Sequence, residues 1–127
     1  MIVNTNKLLI KARKGKYALP HFNVSNLETM QAVVNVCNKL KSPAIIATSE
    51  SAIKYAGIEN IVSLFQNLTK SSKQKFALHL DHGNDMNVIK QCILKGYTSV
   101  MIDASHFDFN KNVQLTKTVV NLAKKNN

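Results

Sequence analysis

An acid and an imidazole stand side by side as Asp81 and His82, at the end of the apolar run FALHLDHG. A carboxylate there can give and take a proton, and a neutral imidazole can ligate a divalent metal. Adjacent residues on a strand point to opposite faces. Asp81 and His82 therefore reach one ligand only where the strand yields to a loop, a turn that Gly83 is expected to permit. Catalytic zinc takes about three protein ligands, and of the four histidines only His82 is convincingly placed to be one. His79 shares parity with Asp81 but lies deeper, which favours a buried, hydrogen-bonded ring over a ligand. His21 follows Pro20 inside an earlier apolar run and reads as a packing position. His106 lies beyond a strand end and fits either a substrate contact or a loop hydrogen bond. Asp85 fits a helix N-cap, and Cys37 and Cys92 fall on apolar helix faces, where core packing is expected.

The elements that must position these residues repeat along the chain. YALPHFNV is followed by a helical stripe of Met30, Val33, Val34, Cys37 and Leu40, with Ser25 or Asn26 as its cap. PAIIATSES precedes a second stripe of Ile58, Ile61, Val62, Phe65 and Leu68. KFALHLDHG precedes a third of Val88, Ile89, Cys92 and Ile93, which Gly96 should stop. TSVMIDASH precedes a helix expected over residues 110–127. Four strand-helix units with nearly continuous apolar strands predict an α/β fold, a parallel sheet whose faces are hidden by crossover helices. An open doubly wound sheet and a (β/α)8 barrel both satisfy that pattern, although no GxGxxG follows the first strand. Either way, the carboxyl ends of the strands share one rim. That rim would gather Asn23, Thr48-Ser49-Glu50, Asp81-His82 and Asp103, with Ser105 and His106 just beyond. Parallel α/β folds bind their ligands at that rim.

Composition narrows the partners. The net charge of +10 comes from lysines scattered over the whole chain, and Arg13 is the only arginine. No basic cluster joins exposed aromatics or a glycine-rich loop, so a solvated surface is favoured over a nucleic-acid footprint. Two cysteines without a CxxC pair predict a reduced, cytoplasmic protein. The first sixteen residues break every apolar run with Asn or Lys, so neither a signal peptide nor a membrane span is expected.

Taken together, YALPHFNVSNLE, KSPAIIATSESAIKYAG, FALHLDHG and GYTSVMIDASH closely resemble the amino-terminal half of class II, metal-dependent fructose-bisphosphate aldolases. The resemblance runs over almost the whole chain, and LHLDHG with SVMIDASH is its most specific part. It implies a (β/α)8 TIM barrel of which residues 1–127 supply about the first four β/α units. It also implies a homo-oligomer, a divalent metal that is most often zinc, and cleavage of fructose 1,6-bisphosphate to dihydroxyacetone phosphate and glyceraldehyde 3-phosphate. Tagatose-bisphosphate aldolases carry nearly the same motifs, and a non-catalytic half-barrel binding module is the alternative from another class.

Residue by residue, the resemblance makes Asp81 the proton-transfer group and His82 a metal ligand. Asp103 matches a carboxylate associated with a second or alternative metal position, and Asn23 and Ser49 match substrate contacts. Two positions depart from the family pattern. Ala104 replaces a glycine of MIDGSH, and His21 stands where a small residue, as in AFN, is common. The family's remaining histidine ligands and phosphate-binding loops belong to later strands, so the 127-residue chain is expected to be inactive by itself.

Overall fold

In a computed structural model that describes residues 1–126, four parallel strands pair in chain order. They are β1 (His21–Asn23), β2 (Ala44–Thr48), β3 (Phe76–Gly83) and β4 (Ser99–Ile102). The register sets Asn23 beside Ala47, Ala47 beside His79, and His79 beside Ser99. Parallel neighbours require crossovers. These contain α2 (Leu27–Leu40), α4 (Ile58–Thr69) and α5 (Met86–Lys95), while α6 (Phe109–Lys125) follows β4. Asn127, the last residue of the helix expected at the end, lies outside the described residues.

The helix ends follow local chemistry. Asn26 accepts from the Thr29 amide, and the Thr29 side chain answers toward the Asn26 amide, which closes a capping box on α2. Asp85 caps α5 as expected, and Gly96 ends it at φ 105°. Cys37 and Cys92 are buried free thiols on the inner faces of α2 and α5. Burial raises both thiol pKa values, that of Cys92 to about 12, so neither is a nucleophile.

The two faces of the sheet are filled differently. Ala44, Ile46, Phe76, Leu78 and Leu80 pack against Met30, Val34, Phe65 and Ile89 of the covering helices, forming the main core. The opposite face meets α1 (Thr5–Gly15), a helix that the apolar pattern did not predict. Its Leu8 packs on Ile45 and Ala77, near the amino ends of β2 and β3. Only Thr5, Leu8 and Ala12 of α1 are buried, a stripe too thin to stand out from KLLIKARK. The same parity carries His21, level with Ile45, and beyond it Asn23, His79, Asp81 and Ser99. This face is therefore apolar where α1 seals it and polar toward the carboxyl rim. A second unpredicted helix, α3 (Glu50–Ala56), starts directly at the rim with Ser49 as its N-cap.

Candidate active site

β3 carries the site because it is irregular where it matters. Between the pairs Leu80 with Val100 and Gly83 with Ile102, β3 uses two residues and β4 uses one. The extra residue makes a β-bulge, and His82 takes the left-handed conformation at φ 53°. The bulge breaks the alternation of side chains. His82 Nε2 lies 3.9 Å from Asp81 Oδ1, so two neighbours in sequence address the same space. The turn thus falls on His82 rather than on Gly83, a correction to the expectation from sequence. Gly83 is required for space: a Cβ there would lie 2.8 Å from Ile89 Cγ1 and Leu80 Cδ2, and 2.9 Å from the Met101 carbonyl oxygen.

Each functional side chain is held by another. Asn23 Nδ2 donates to Asp81 Oδ2 at 2.8 Å, joining the ends of β1 and β3. His82 Nδ1 and Asp103 Oδ2 are 2.7 Å apart, joining β3 to the end of β4. Asp103 Oδ1 also accepts from Ser105 Oγ at 2.7 Å and from the Ser105 amide at 3.2 Å. These contacts leave His82 Nε2 free on a ring whose side chain is 61% exposed, against 19% for Asp81. The Asp103 hydrogen bond, with the Asp81 charge behind it, raises the His82 pKa above its ordinary value. The same bond, with those from Ser105, holds the Asp103 carboxyl well below the usual carboxylate range.

Ser49 joins through the cleft it shares with Asn23. The cleft measures about 570 Å³ and is lined by Asn23, Ser25, Ser49, Ser51 and Tyr55. Ser49 Oγ accepts from the Ala52 amide at 3.3 Å and shares a hydrogen with Ser51 Oγ at 2.8 Å. The rim therefore brings together Asn23, Asp81, His82 and Asp103 by direct hydrogen bonds or close approach, with Ser49 at its margin.

The other histidines divide. His79 is half-buried and its Nδ1 lies 2.8 Å from Ser99 Oγ, the hydrogen-bonded role expected for it. Burial, and then the neighbouring His21, lower its pKa and keep it neutral. His21 is not a packing residue. It is exposed, and its ring meets that of His79 edge to face with centroids 5.6 Å apart. His21 opens a three-residue strand at the edge of the sheet, level with Ile45, and among the described residues no further strand pairs with its outer side. His106 is exposed and rests on Phe107, with ring centroids 4.2 Å apart.

Glu50 was not singled out from the sequence as a separate group. Its Oε1 accepts from the amides of Asn84 and Asp85, both at 2.7 Å, which ties the start of α3 to the loop after His82. The signal was its place at a strand end beside Ser49.

The donor chemistry of the rim fits a divalent metal. A ligating imidazole commonly offers one nitrogen while a carboxylate holds the other, and His82 with Asp103 has that form. His82 would supply one such nitrogen, and a three-ligand set would draw the rest from other groups.

The comparisons with known proteins bear on the family and the fold. The D-tagatose-1,6-bisphosphate aldolase subunit GatY of Klebsiella oxytoca is 43% identical over 122 residues, which are 96% of this chain and 43% of that protein. The YdjI aldolase of Escherichia coli K12 superposes with a TM-score of 0.89 at 30% identity, over 95% of this chain and 47% of that one. A candidate fructose-1,6-bisphosphate aldolase of Coccidioides immitis gives a TM-score of 0.88 at 32% identity, over 95% of this chain and 42% of that one. The chain thus spans less than half the length of each of these relatives, and the four strands and their helices correspond to part of an aldolase barrel. Residues 3–127 match the family model described as fructose-bisphosphate aldolase class-II, and the chain belongs to that family.

Proposed function

We propose that this chain supplies the first four β/α units of a barrel that reversibly cleaves a ketose 1,6-bisphosphate into dihydroxyacetone phosphate and glyceraldehyde 3-phosphate. The observation that carries the reading is the set of contacts at the rim, Asn23 to Asp81 and His82 to Asp103, with Asp81 and His82 addressing one space. Fructose 1,6-bisphosphate is the substrate of the family that the sequence motifs resemble, although those motifs are nearly the same in tagatose-bisphosphate aldolases. The 43% identity to a tagatose-bisphosphate aldolase subunit favours tagatose 1,6-bisphosphate as the second reading. The two sugars differ only in configuration at C4, the carbon whose hydroxyl must lose a proton for cleavage.

In this reading Asp81 takes the C4 hydroxyl proton in cleavage and returns it in condensation. Asn23 fixes the carboxylate through Oδ2 and leaves Oδ1 turned toward the space it shares with His82. His82 would hold the metal, most often zinc in this family, through Nε2, while Asp103 stays at the metal centre through Nδ1. When bound, the metal supplies Lewis-acid polarisation of the substrate carbonyl. Asn23 and Ser49 contact the sugar from the cleft. No helix among the described residues is long and apolar enough to cross a membrane, and the free buried thiols agree with a cytoplasmic enzyme. We assign no nucleic-acid role, and we expect a homo-oligomer of complete barrels.

The test is a coupled assay for glyceraldehyde 3-phosphate, run on the complete barrel with both sugars. Cleavage is expected for one of them, and Asp81→Ala should lower turnover by roughly a hundred- to ten-thousandfold, the range of a lost acid-base group, while bound metal is retained. Near-normal turnover in that variant would remove Asp81 from the mechanism.

A further inference from the structure

His21 carries more than the proposed reaction asks of it. His21, His79 and Asp81 each present a ligand atom, and the three atoms lie within 4.8 Å of one another. All three belong to the same sheet face, which the register makes common to β1 and β3. We propose that these residues form a divalent-cation site selective for zinc-like metals, separate from the nitrogen that His82 offers.

The donor set argues for the class of ion. Two imidazoles and one carboxylate suit a borderline metal such as zinc or cobalt and not magnesium or calcium, which prefer oxygen. His79 is oriented for ligation. Its Nδ1 is engaged with Ser99 Oγ at 2.8 Å, which leaves Nε2 as the free nitrogen and fixes the ring as outer partners of metal-binding histidines do. The edge-to-face arrangement of His21 and His79 keeps the rings from stacking and lets their nitrogens converge. Tetrahedral bonds of about 2.0–2.1 Å put ligand atoms about 3.3 Å apart. The set is open by comparison, and His21, exposed on an edge strand, is the member free to close it. Three protein ligands would leave one position for water or an anion.

The binding claim stands whether or not the proposed reaction does. One consequence rests on that reaction: a metal held by Asp81 withdraws the carboxylate from proton transfer, so occupancy of this site and turnover would exclude each other.

The experiment is a zinc titration of the 127-residue chain against a chromophoric chelator, with cobalt absorption as the readout of coordination geometry. The unmodified chain should bind one zinc, and cobalt should give an intense tetrahedral spectrum. His21→Ala and His21→Gln should each weaken zinc by at least about tenfold and bleach the cobalt bands. His106→Ala, at an exposed histidine outside the cluster, should leave both within about twofold. His21 is exposed, so its variants are expected to keep the fold, and circular dichroism confirms that before titration. No binding by the unmodified chain, binding indifferent to His21, or binding lost equally in His106→Ala would each overturn the assignment. None of these outcomes depends on aldol cleavage, so failure of the proposed reaction remains distinguishable from failure of the site.

Discussion

His82 and Asp103 set the chemistry of the rim at the scale of single residues, and pH should reveal their pairing. His82 has a raised pKa, so the pair's contribution through the imidazole is complete below the ordinary value of 6.5 and is lost as pH rises through the raised value. Asp103 has a lowered pKa, so its contribution is present above the ordinary 3.8 and is lost as pH falls through the depressed value. The ion pair therefore exists between those two limits. In the metal-free chain we expect the His82 ring to titrate above 6.5 by NMR, and Asp103→Asn to bring the midpoint down. A midpoint at or below 6.5 with Asp103 intact would contradict the hydrogen bond. Because a protonated ring cannot ligate, metal affinity at His82 should climb with pH through the same midpoint. The pair was only half legible in the sequence. Asp81, His82 and Asp103 were visible as polar strand ends, but which nitrogen of His82 stays free depends on a contact across twenty-one residues. His21 was misjudged because a residue inside an apolar run looks buried, and only the sheet order reveals that its strand lies on an edge.

Among the elements, β3 decides whether the rim exists. Its bulge moves His82 to the side of the sheet that Asp81 faces, and the bulge closes only because Gly83 lets β4 and α5 approach. The Asp103 amide donates to the Gly83 carbonyl at 2.8 Å, so the strand pairing resumes immediately after the irregular residue. A methyl group at Gly83 would meet the Met101 carbonyl at 2.9 Å, and backbone cannot turn aside as a side chain can. Gly83→Ala should therefore destabilise the chain by about 1–3 kcal/mol, the usual cost of overpacking. It should also shift the His82 and Asp103 resonances more than those of Asn23. An Ala variant with unchanged denaturation midpoint would mean that the close approach is relaxed in solution. The strands, the four long helices after them and the ends at Asp85 and Gly96 were readable, with the α2 cap narrowed to Ser25 or Asn26, since continuous apolar runs and helical stripes report burial directly. The bulge was not, because an extra residue in one strand leaves no mark in the alternation of a run as short as HLDHG. Helices α1 and α3 escaped for a related reason: each buries too few residues to print a period.

For the molecule as a whole, the sheet has two edges, β1 and β4, that are unpaired among the described residues. β4 is the more exposed to consequence. Beside it lies a concavity of about 620 Å³ with a mixed lining, in which Ile2, Val3, Tyr97, Val100 and Val119 stand among polar residues such as Asn4, Thr98 and Lys124. Met101 on β4 and Phe109 and Val120 on α6 are also exposed. A strand edge beside uncovered apolar surface invites pairing with another chain. In the proposed reading the polar rim has the complementary deficit, since His82 would contribute one imidazole where a catalytic metal such as zinc takes about three ligands. Both deficits point to the same expectation. The purified 127-residue chain should self-associate as its concentration rises, and it should show no measurable cleavage of fructose or tagatose 1,6-bisphosphate with excess zinc. Co-expression with the remaining half of a family barrel should replace the concentration-dependent association by one defined oligomer and bring cleavage back. Sedimentation velocity and the coupled assay on one preparation decide the matter. A monomer that cleaves substrate, and loses that activity in His82→Ala, would show that four β/α units build a complete site by a route these contacts do not reveal.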